Sequence, residues 1–157
     1  MPKTYRKRFY NRNRDKYSVE QQAGTLSLPT SATDVVTTVV PDTAIQGMRK
    51  VKHLTVSLAA RDIAGQASDV AYWALVYVPQ GTAVNTLNVA GTAGMYEPNQ
   101  FVMNCGVVDF SAGPCRFTSP VSRNLNSGDK IVLIMNGGSV AAERYFAYTV
   151  RYAITLQ

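Results

Sequence analysis

The sequence has one histidine, His53, and two cysteines, Cys105 and Cys115. A histidine-based catalytic dyad with Cys or Ser has no local support, because His53 lies in a strand-like run beside Lys52. The two cysteines have no clustered histidines, which excludes the spacings of zinc sites and predicts two buried free thiols. A disulfide is the less favoured alternative for this pair.

Phosphate-binding and peptidase motifs are also missing. The chain has no GxxxxGK[ST] loop, no GxGxxG after a strand and no HExxH. Its glycines fall between strand-like runs, where tight turns and positive φ account for them. The sequence therefore predicts a protein that is not an enzyme and that uses no cofactor or metal ion.

Long apolar runs are absent too. No run approaches the roughly 18 apolar residues of a membrane span, and the basic N-terminus has no hydrophobic stretch behind it. We therefore expect no membrane partner and no secretory signal. A chain of 157 residues is expected to form one domain.

Positive charge is concentrated at the N-terminus. Residues 1–16 hold seven of the sixteen Lys and Arg with one acid, whereas residues 17–157 hold nine cations and nine acids. Seven like charges without aliphatic residues to bury predict a disordered basic arm over 1–16, attached to a neutral body over 17–157.

A dense basic run binds phosphates with counterion release, and aromatic residues among the charges offer bases a stacking surface. The arm is therefore predicted to bind nucleic acid. Its motifs KTYRKR and RNR also fit a nuclear localisation signal, a role that coexists with nucleic-acid binding. The expected contacts in the arm are Lys3, Tyr5, Arg6, Lys7, Arg8, Phe9, Tyr10, Arg12, Arg14 and Lys16.

A weaker second contact is expected at Arg49, Lys50 and Lys52, where cations cluster at the start of a strand-like run. The alternative interpretation of this cluster is a solvated strand end.

A period of two dominates the body. From residue 145 to 156 every even position is apolar, which predicts a long strand with one face in the core. No window of comparable length has a helical stripe. Eight β-branched or aromatic runs bounded by turn residues, with mostly short connections, predict an all-β two-sheet sandwich or a barrel. The eight ranges are 17–28, 34–40, 49–60, 70–78, 100–110, 115–121, 130–135 and 145–156.

The fourth of these runs, VAYWALVYV, is apolar on both faces. Either a subunit contact or a covering loop would explain a second apolar face.

Four phrases follow one another along the body: VSLAARDI (56–63), WALVYVPQGT (73–82), MYEPNQFVMNCGVVD (95–109) and SRNLNSGDKIVLIMN (122–136). In this order they resemble the coat proteins of small circular single-stranded DNA viruses that encode a rolling-circle replication protein, the circovirus-like and nanovirus-like group. The resemblance runs from about residue 51 to the C-terminus, with the basic arm as its expected companion.

This resemblance implies a single eight-stranded antiparallel jelly roll that assembles with itself into the smallest icosahedral shell, of about sixty copies. The arm would lie inside the shell on the single-stranded DNA genome. The protein would then be found in the virion and, during assembly, in the host nucleus, where nuclear import receptors are further partners.

Two other functions fit the residues. A cellular ribosomal or single-strand-binding β module also combines a basic tail with a small β domain. Such a module normally has a basic sheet face, whereas this body is neutral in sum. An RNA-virus coat protein would share the shell and the arm, because unspecific arms do not select the sugar.

Overall fold

The computed structural model describes residues 17–62, 70–84, 87 and 101–156. Within these ranges the chain forms nine β-strands and one turn of 3-10 helix, Phe110–Ala112. The strands are β1 (Ser18–Leu28), β2 (Val35–Val40), β3 (Arg49–Asp62), β4 (Val70–Val78), β5 (Val102–Asp109), β6 (Cys115–Thr118), β7 (Arg123–Leu125), β8 (Lys130–Asn136) and β9 (Arg144–Leu156).

The strands form two antiparallel sheets. The five-stranded sheet has the order β1-β9-β3-β6, with β7 also paired to β3, and the four-stranded sheet has the order β2-β8-β4-β5. The pairings nest: β1 pairs with β9, β2 with β8, β3 with β6 and β7, and β4 with β5. Successive nested pairs therefore lie alternately in the five-stranded and the four-stranded sheet.

The C-terminal strand β9 confirms the period-two prediction. It pairs with β1 on one side and β3 on the other, so it lies in the interior of its sheet. Phe146 and Val150 are fully buried on its inner face, whereas Thr149 and Arg151 on the outer face are exposed. This alternation fixes which side chains of the sheet face outward.

The main core lies between the two sheets, and aromatic rings connect them. Trp73 of β4 stacks on Phe117 of β6, with ring centroids 4.3 Å apart. Phe110, at the end of β5, packs against Phe146 of β9 at 4.5 Å. Each pair joins one sheet to the other, so both sheets are needed to bury these rings.

The outer face of the four-stranded sheet carries a second apolar cluster, which includes Val76 and Ile134. Val84 and Leu87, from the segment after β4, pack on this cluster. The backbone N–H of Leu87 donates to Asp34 at 2.6 Å, which holds that segment down. A covering loop therefore accounts for the second apolar face of β4.

The all-β, two-sheet prediction is confirmed, but the count of eight strands is wrong. The strand predicted over 115–121 ends at Thr118. The backbone N–H of Ser119 still donates to the carbonyl oxygen of Leu54, and Pro120 then interrupts the ladder. The additional strand is β7, whose three residues pair with the start of β3. Three residues are too short to show a period, which is why the sequence did not indicate it.

Candidate nucleic-acid interface

The predicted contacts of the basic arm, from Lys3 to Lys16, lie outside the described residues. The structure does place the point where the arm joins the body. Tyr17 directly precedes β1, and the ammonium group of Lys52 lies 4.6 Å from the centroid of its ring. The arm therefore leaves the body beside Lys52, in a cation–π contact.

Arg49 does not occupy the position expected of a nucleic-acid contact. Its side chain is 8% exposed, and its Nη2 donates to the carbonyl oxygens of Pro41 at 3.1 Å and Asp129 at 3.3 Å. The residue lies on the inner parity of β3, so it closes the end of the sandwich. The prediction for Arg49 is corrected: a guanidinium used in this way is not presented to a ligand.

Lys50 and Lys52 lie on the outer parity of β3 and belong to a larger set. The outer face of the five-stranded sheet holds five of the nine cations of the body, on three strands. Among the outward strand positions whose side chains the structure describes there is no acid, and Asp62, next to Arg61 at the end of β3, takes the register position opposite the outward Tyr145. The body is neutral in sum, but its positive charge is concentrated on one face. We call this surface the basic face; its cations are Lys50, Lys52, Arg61, Arg116 and Arg151.

Strand register sets the positions on the basic face. Thr55 of β3 pairs with Arg151 of β9, and Ser57 of β3 pairs with both Thr149 of β9 and Arg116 of β6. Arg151 and Arg116 therefore stand diagonally across β3, about two strand spacings of 4.8 Å apart in the hydrogen-bonding direction. Short side chains lie between the two arginines.

This contrast between long and short side chains creates two adjoining depressions. The first, of about 280 Å³, is lined by Gln21, Thr55, Ser57, Arg116, Thr149 and Arg151. The second, of about 330 Å³, is lined by Val19, His53, Thr55, Arg151, Tyr152 and Ala153. Thr55 and Arg151 line both, so the two depressions adjoin at these side chains.

The guanidinium groups of Arg116 and Arg151 have no hydrogen-bond or ion-pair partner within the part of the chain that the structure describes. Hydroxyl groups of Thr55, Ser57 and Thr149 lie between them. The Thr55 hydroxyl donates to the carbonyl oxygen of His53 at 3.5 Å, so the hydroxyl donors that face the space are those of Ser57 and Thr149. Two guanidinium groups and these hydroxyl groups around a shallow space can bind an oxyanion such as a phosphate.

His53 enters the second depression because of a backbone irregularity. The register between β3 and β9 shifts between Lys52 and Thr55, and His53 has a φ of 55°. This left-handed conformation is uncommon for a residue with a side chain, and a bulge of this kind re-aims a side chain on the sheet. It places an exposed imidazole beside Arg151 on the basic face.

A different polar cluster surrounds Asp129, which is 4% exposed. Its carboxylate accepts hydrogen bonds from the Tyr77 hydroxyl at 2.7 Å and from the backbone N–H groups of Asn126 and Gln80 at 2.7 and 3.0 Å. Burial opposes ionisation, but these hydrogen bonds outweigh it and lower the pKa of Asp129. The cluster joins the loops that contain Gln80 and Asn126 to the start of β8.

Tyr77 shows the other side of that interaction. Burial, together with the hydrogen bond to the Asp129 carboxylate, raises its pKa to about 12. The phenol therefore stays protonated and acts as a donor to Asp129, which is a structural role.

The cysteines differ from the prediction in one respect. Cys105 lies on β5 and is exposed, whereas Cys115 lies on β6 of the other sheet and is half-buried. The prediction that both thiols are buried is wrong for Cys105. Burial raises the pKa of the Cys115 thiol, which keeps it protonated.

Two features are absent from the described ranges. These ranges contain no group of three or more His, Cys, Asp or Glu side chains close enough to hold a metal ion. They also contain no helix with the length and apolar character needed to cross a bilayer.

Comparison with known proteins adds little to this site. No protein-family model matches the chain, and no curated protein matches it. Among solved structures, 31 chains match. One is from Bacillus endospore appendages, described as a family of disulfide-linked pili, with 15% identity and a TM-score of 0.30 over 90% of this chain and 92% of that chain. A likeness this weak carries no argument about function.

Proposed function

We propose that this chain is the coat protein of a small virus with a circular single-stranded DNA genome. In this proposal about sixty copies form a closed icosahedral shell around the genome. The observation that carries the proposal is the charge next to the start of the described body: residues 1–16 contain seven cations, and Tyr17, the next residue, lies against Lys52 of the basic face. The basic segment of the sequence therefore ends directly beside the basic face.

The sandwich itself is proposed to be a jelly roll, an architecture that viral capsids share with lectins. The nested pairing of β1 with β9, β2 with β8, β3 with β6 and β4 with β5 supports this assignment. In that description β7 is an addition to an eight-stranded roll. The ordered phrases that resemble circovirus-like and nanovirus-like coats support it as well.

The parts have separate roles in this proposal. The arm neutralises phosphates without reading sequence and doubles as a signal for nuclear import receptors. The body makes the contacts between copies, and the protein has no catalytic activity. Lys50 and Lys52 stay in the proposed interface, whereas Arg49 leaves it because its guanidinium group holds the carbonyl groups of Pro41 and Asp129.

The first test is negative-stain electron microscopy of the purified full-length protein, with absorbance at 260 and 280 nm measured on the same sample. We expect uniform small spheres with a high 260 nm absorbance that falls after DNase treatment of opened particles. RNase sensitivity instead would favour an RNA-virus coat. A monomer across several salt and pH conditions would contradict the shell.

A matched variant separates packaging from folding. It is the full-length chain with the seven Lys and Arg of residues 1–16 replaced by Gln. We expect its circular dichroism and Trp73 fluorescence to be unchanged, while salt-sensitive DNA binding falls steeply. Unchanged packaging in this variant would contradict the role given to the arm.

A cellular single-strand-binding module is the second candidate, and the basic face favours it. Neutrality of the body counted against such a module, but the strand register concentrates five cations on one sheet face. That protein would be a stable monomer or dimer with a defined site size on single strands, which the same microscopy and a binding titration would reveal.

A further inference from the structure

We propose that the basic face contains a nucleotide subsite, in which Arg116 and Arg151 bind a phosphate and the depression beside His53 takes the adjoining base. The subsite rests on the proposed function, because it gives the packaged single strand a defined contact on the body. It differs from the arm in being built from four strands of the sheet, β1, β9, β3 and β6.

The first depression has the composition of a phosphate site. Arg116 and Arg151 approach it from opposite corners, and the floor between them consists of the hydroxyl-bearing Thr55, Ser57 and Thr149. Guanidinium groups bind phosphate oxygens through two parallel N–H donors, and hydroxyl groups supply further donors at short range. No carboxylate lines this depression to compete with the anion.

The second depression has the composition of a base site. Val19 and Ala153 give it an apolar wall, and Val19 is 60% exposed, so this wall is open to solvent. His53 adds a flat ring that the left-handed bulge turns toward the depression. Nucleobases stack on such rings and on apolar side chains without regard to sequence.

Arg151 connects the two depressions. It lines both, so an occupant of one touches an occupant of the other across a single side chain. In a nucleotide the phosphate and the base are joined through one sugar, and the two adjoining spaces match that arrangement.

The arm delivers the strand to this subsite. It joins the body beside Lys52, which pairs with Ala153, one outward row from Arg151. A single strand held by the arm therefore meets Lys52, then Arg151, then Arg116 as it crosses the sheet.

A sulfated polysaccharide is the alternative polyanion for this face. It would satisfy the arginines, but it has no planar ring to place against His53 and Val19. The chemistry of the second depression therefore favours a nucleic acid, and a heparin tetrasaccharide serves as the competing probe.

The test uses the full-length chain with the seven arm cations replaced by Gln, so that binding to the body is measured alone. The probe is fluorescein-labelled tetrathymidylate, followed by fluorescence anisotropy at about 50 mM salt. Arg116→Gln and Arg151→Gln should each weaken binding about tenfold or more, because each removes charge-assisted hydrogen bonds. Arg61→Gln is the matched control: it removes the same charge from the same face but lines neither depression, and should weaken binding less than about threefold.

Three further comparisons separate the parts of the site. Arg151→Lys keeps the charge but loses the planar fork, and should recover only part of the affinity. His53→Ala should weaken binding of tetrathymidylate and leave binding of pyrophosphate unchanged, because pyrophosphate has no base. Circular dichroism and Trp73 fluorescence check that each variant is folded.

Several results would overturn the subsite. Equal losses in Arg61→Gln, Arg116→Gln and Arg151→Gln would mean diffuse attraction by the whole face. Unchanged binding in Arg151→Gln would remove the central contact. Tighter binding of the heparin tetrasaccharide with the same arginine dependence would assign the face to an anionic sugar.

The subsite and the coat-protein proposal fail separately. If the protein with its native arm forms particles that contain DNA while Arg151→Gln binds tetrathymidylate normally, only the subsite fails. If the arginine dependence holds but the protein stays monomeric, the subsite stands and the shell fails.

Discussion

Replacing Asp129 with alanine should destabilise the sandwich by about 3 to 5 kcal/mol. The Asp129 side chain is 4% exposed. Its carboxylate accepts hydrogen bonds from the Tyr77 hydroxyl and from the backbone N–H groups of Asn126 and Gln80. Alanine leaves all three donors without that acceptor. Each unsatisfied donor in a poorly hydrated site costs about 1 to 3 kcal/mol, and partial relaxation or entry of water keeps the sum toward the lower end.

Asparagine at the same position should cost less, about 2 kcal/mol. Oδ2 of Asp129 receives both Tyr77 and Asn126, whereas Oδ1 receives Gln80. An amide has only one oxygen, so its NH₂ group must face one of the two backbone N–H donors. The asparagine variant therefore keeps the shape of the side chain and loses part of the acceptor set.

The assay is equilibrium unfolding of the full-length chain in urea, followed by the fluorescence of Trp73. This residue is the single tryptophan, it is 7% exposed, and it stacks on Phe117, so its emission reports the loss of the core. The control is Asp109→Ala, which removes an exposed carboxylate that caps the turn at Phe110–Ala112 and should have a much smaller effect. A loss below about 1 kcal/mol for Asp129→Ala would refute the argument, since it would mean that the three donors find other partners.

Three further predictions concern Tyr77 of β4, Arg49 of β3 and Gly137 after β8. The raised pKa of Tyr77, about 12, stabilises the fold below pH 10, and this contribution is lost as the pH rises toward 12. The Tyr77→Phe variant should lack this alkaline loss of stability. Urea unfolding at several pH values measures the difference. Arg49→Gln should lower stability by about 2 kcal/mol and leave DNA affinity unchanged, because its donors hold carbonyl groups inside the molecule. Gly137→Ala should cost about 3 kcal/mol or more in thermal unfolding, because a Cβ there would overlap the buried Arg144 guanidinium.

Each of these has a matched control. Asp129 should give the opposite pH dependence to Tyr77. Its lowered pKa contributes stability above about pH 4, and this contribution is lost as the pH falls through the pKa of the folded state. The Asp129→Asn variant should therefore lack this loss of stability in acid. Lys52→Gln should reduce DNA affinity with little effect on stability, the reverse of Arg49→Gln. Gly138→Ala places its Cβ in open space at a φ of 67°, so it should cost only about 1 kcal/mol. Reversed outcomes in any of the three pairs would contradict the assigned roles.

The sequence by itself determined the fold class and the approximate position of eight strands. Strand β4 has the predicted bounds, and β9 begins one residue before its predicted start, because a strict period of two is a local property that each residue carries in its own polarity. The charge of the arm is also a local property, because seven cations within sixteen residues repel one another whatever fold the rest of the chain adopts. The three-residue β7 was missed because a strand of that length exists only through its pairing with β3.

Tertiary structure alone decided which cations lie on the outer face of the five-stranded sheet. Arg49 and Lys50 are neighbours in sequence, yet one is buried against the carbonyl groups of Pro41 and Asp129 while the other lies on the basic face. Arg116 and Arg151 are far apart along the chain and meet across β3 only because the register of two ladders places them there. Net charge is a sum over the chain and says nothing about where each charge lies. The pairing of strands fixes the positions of the charged side chains and therefore the electrostatic surface of the protein.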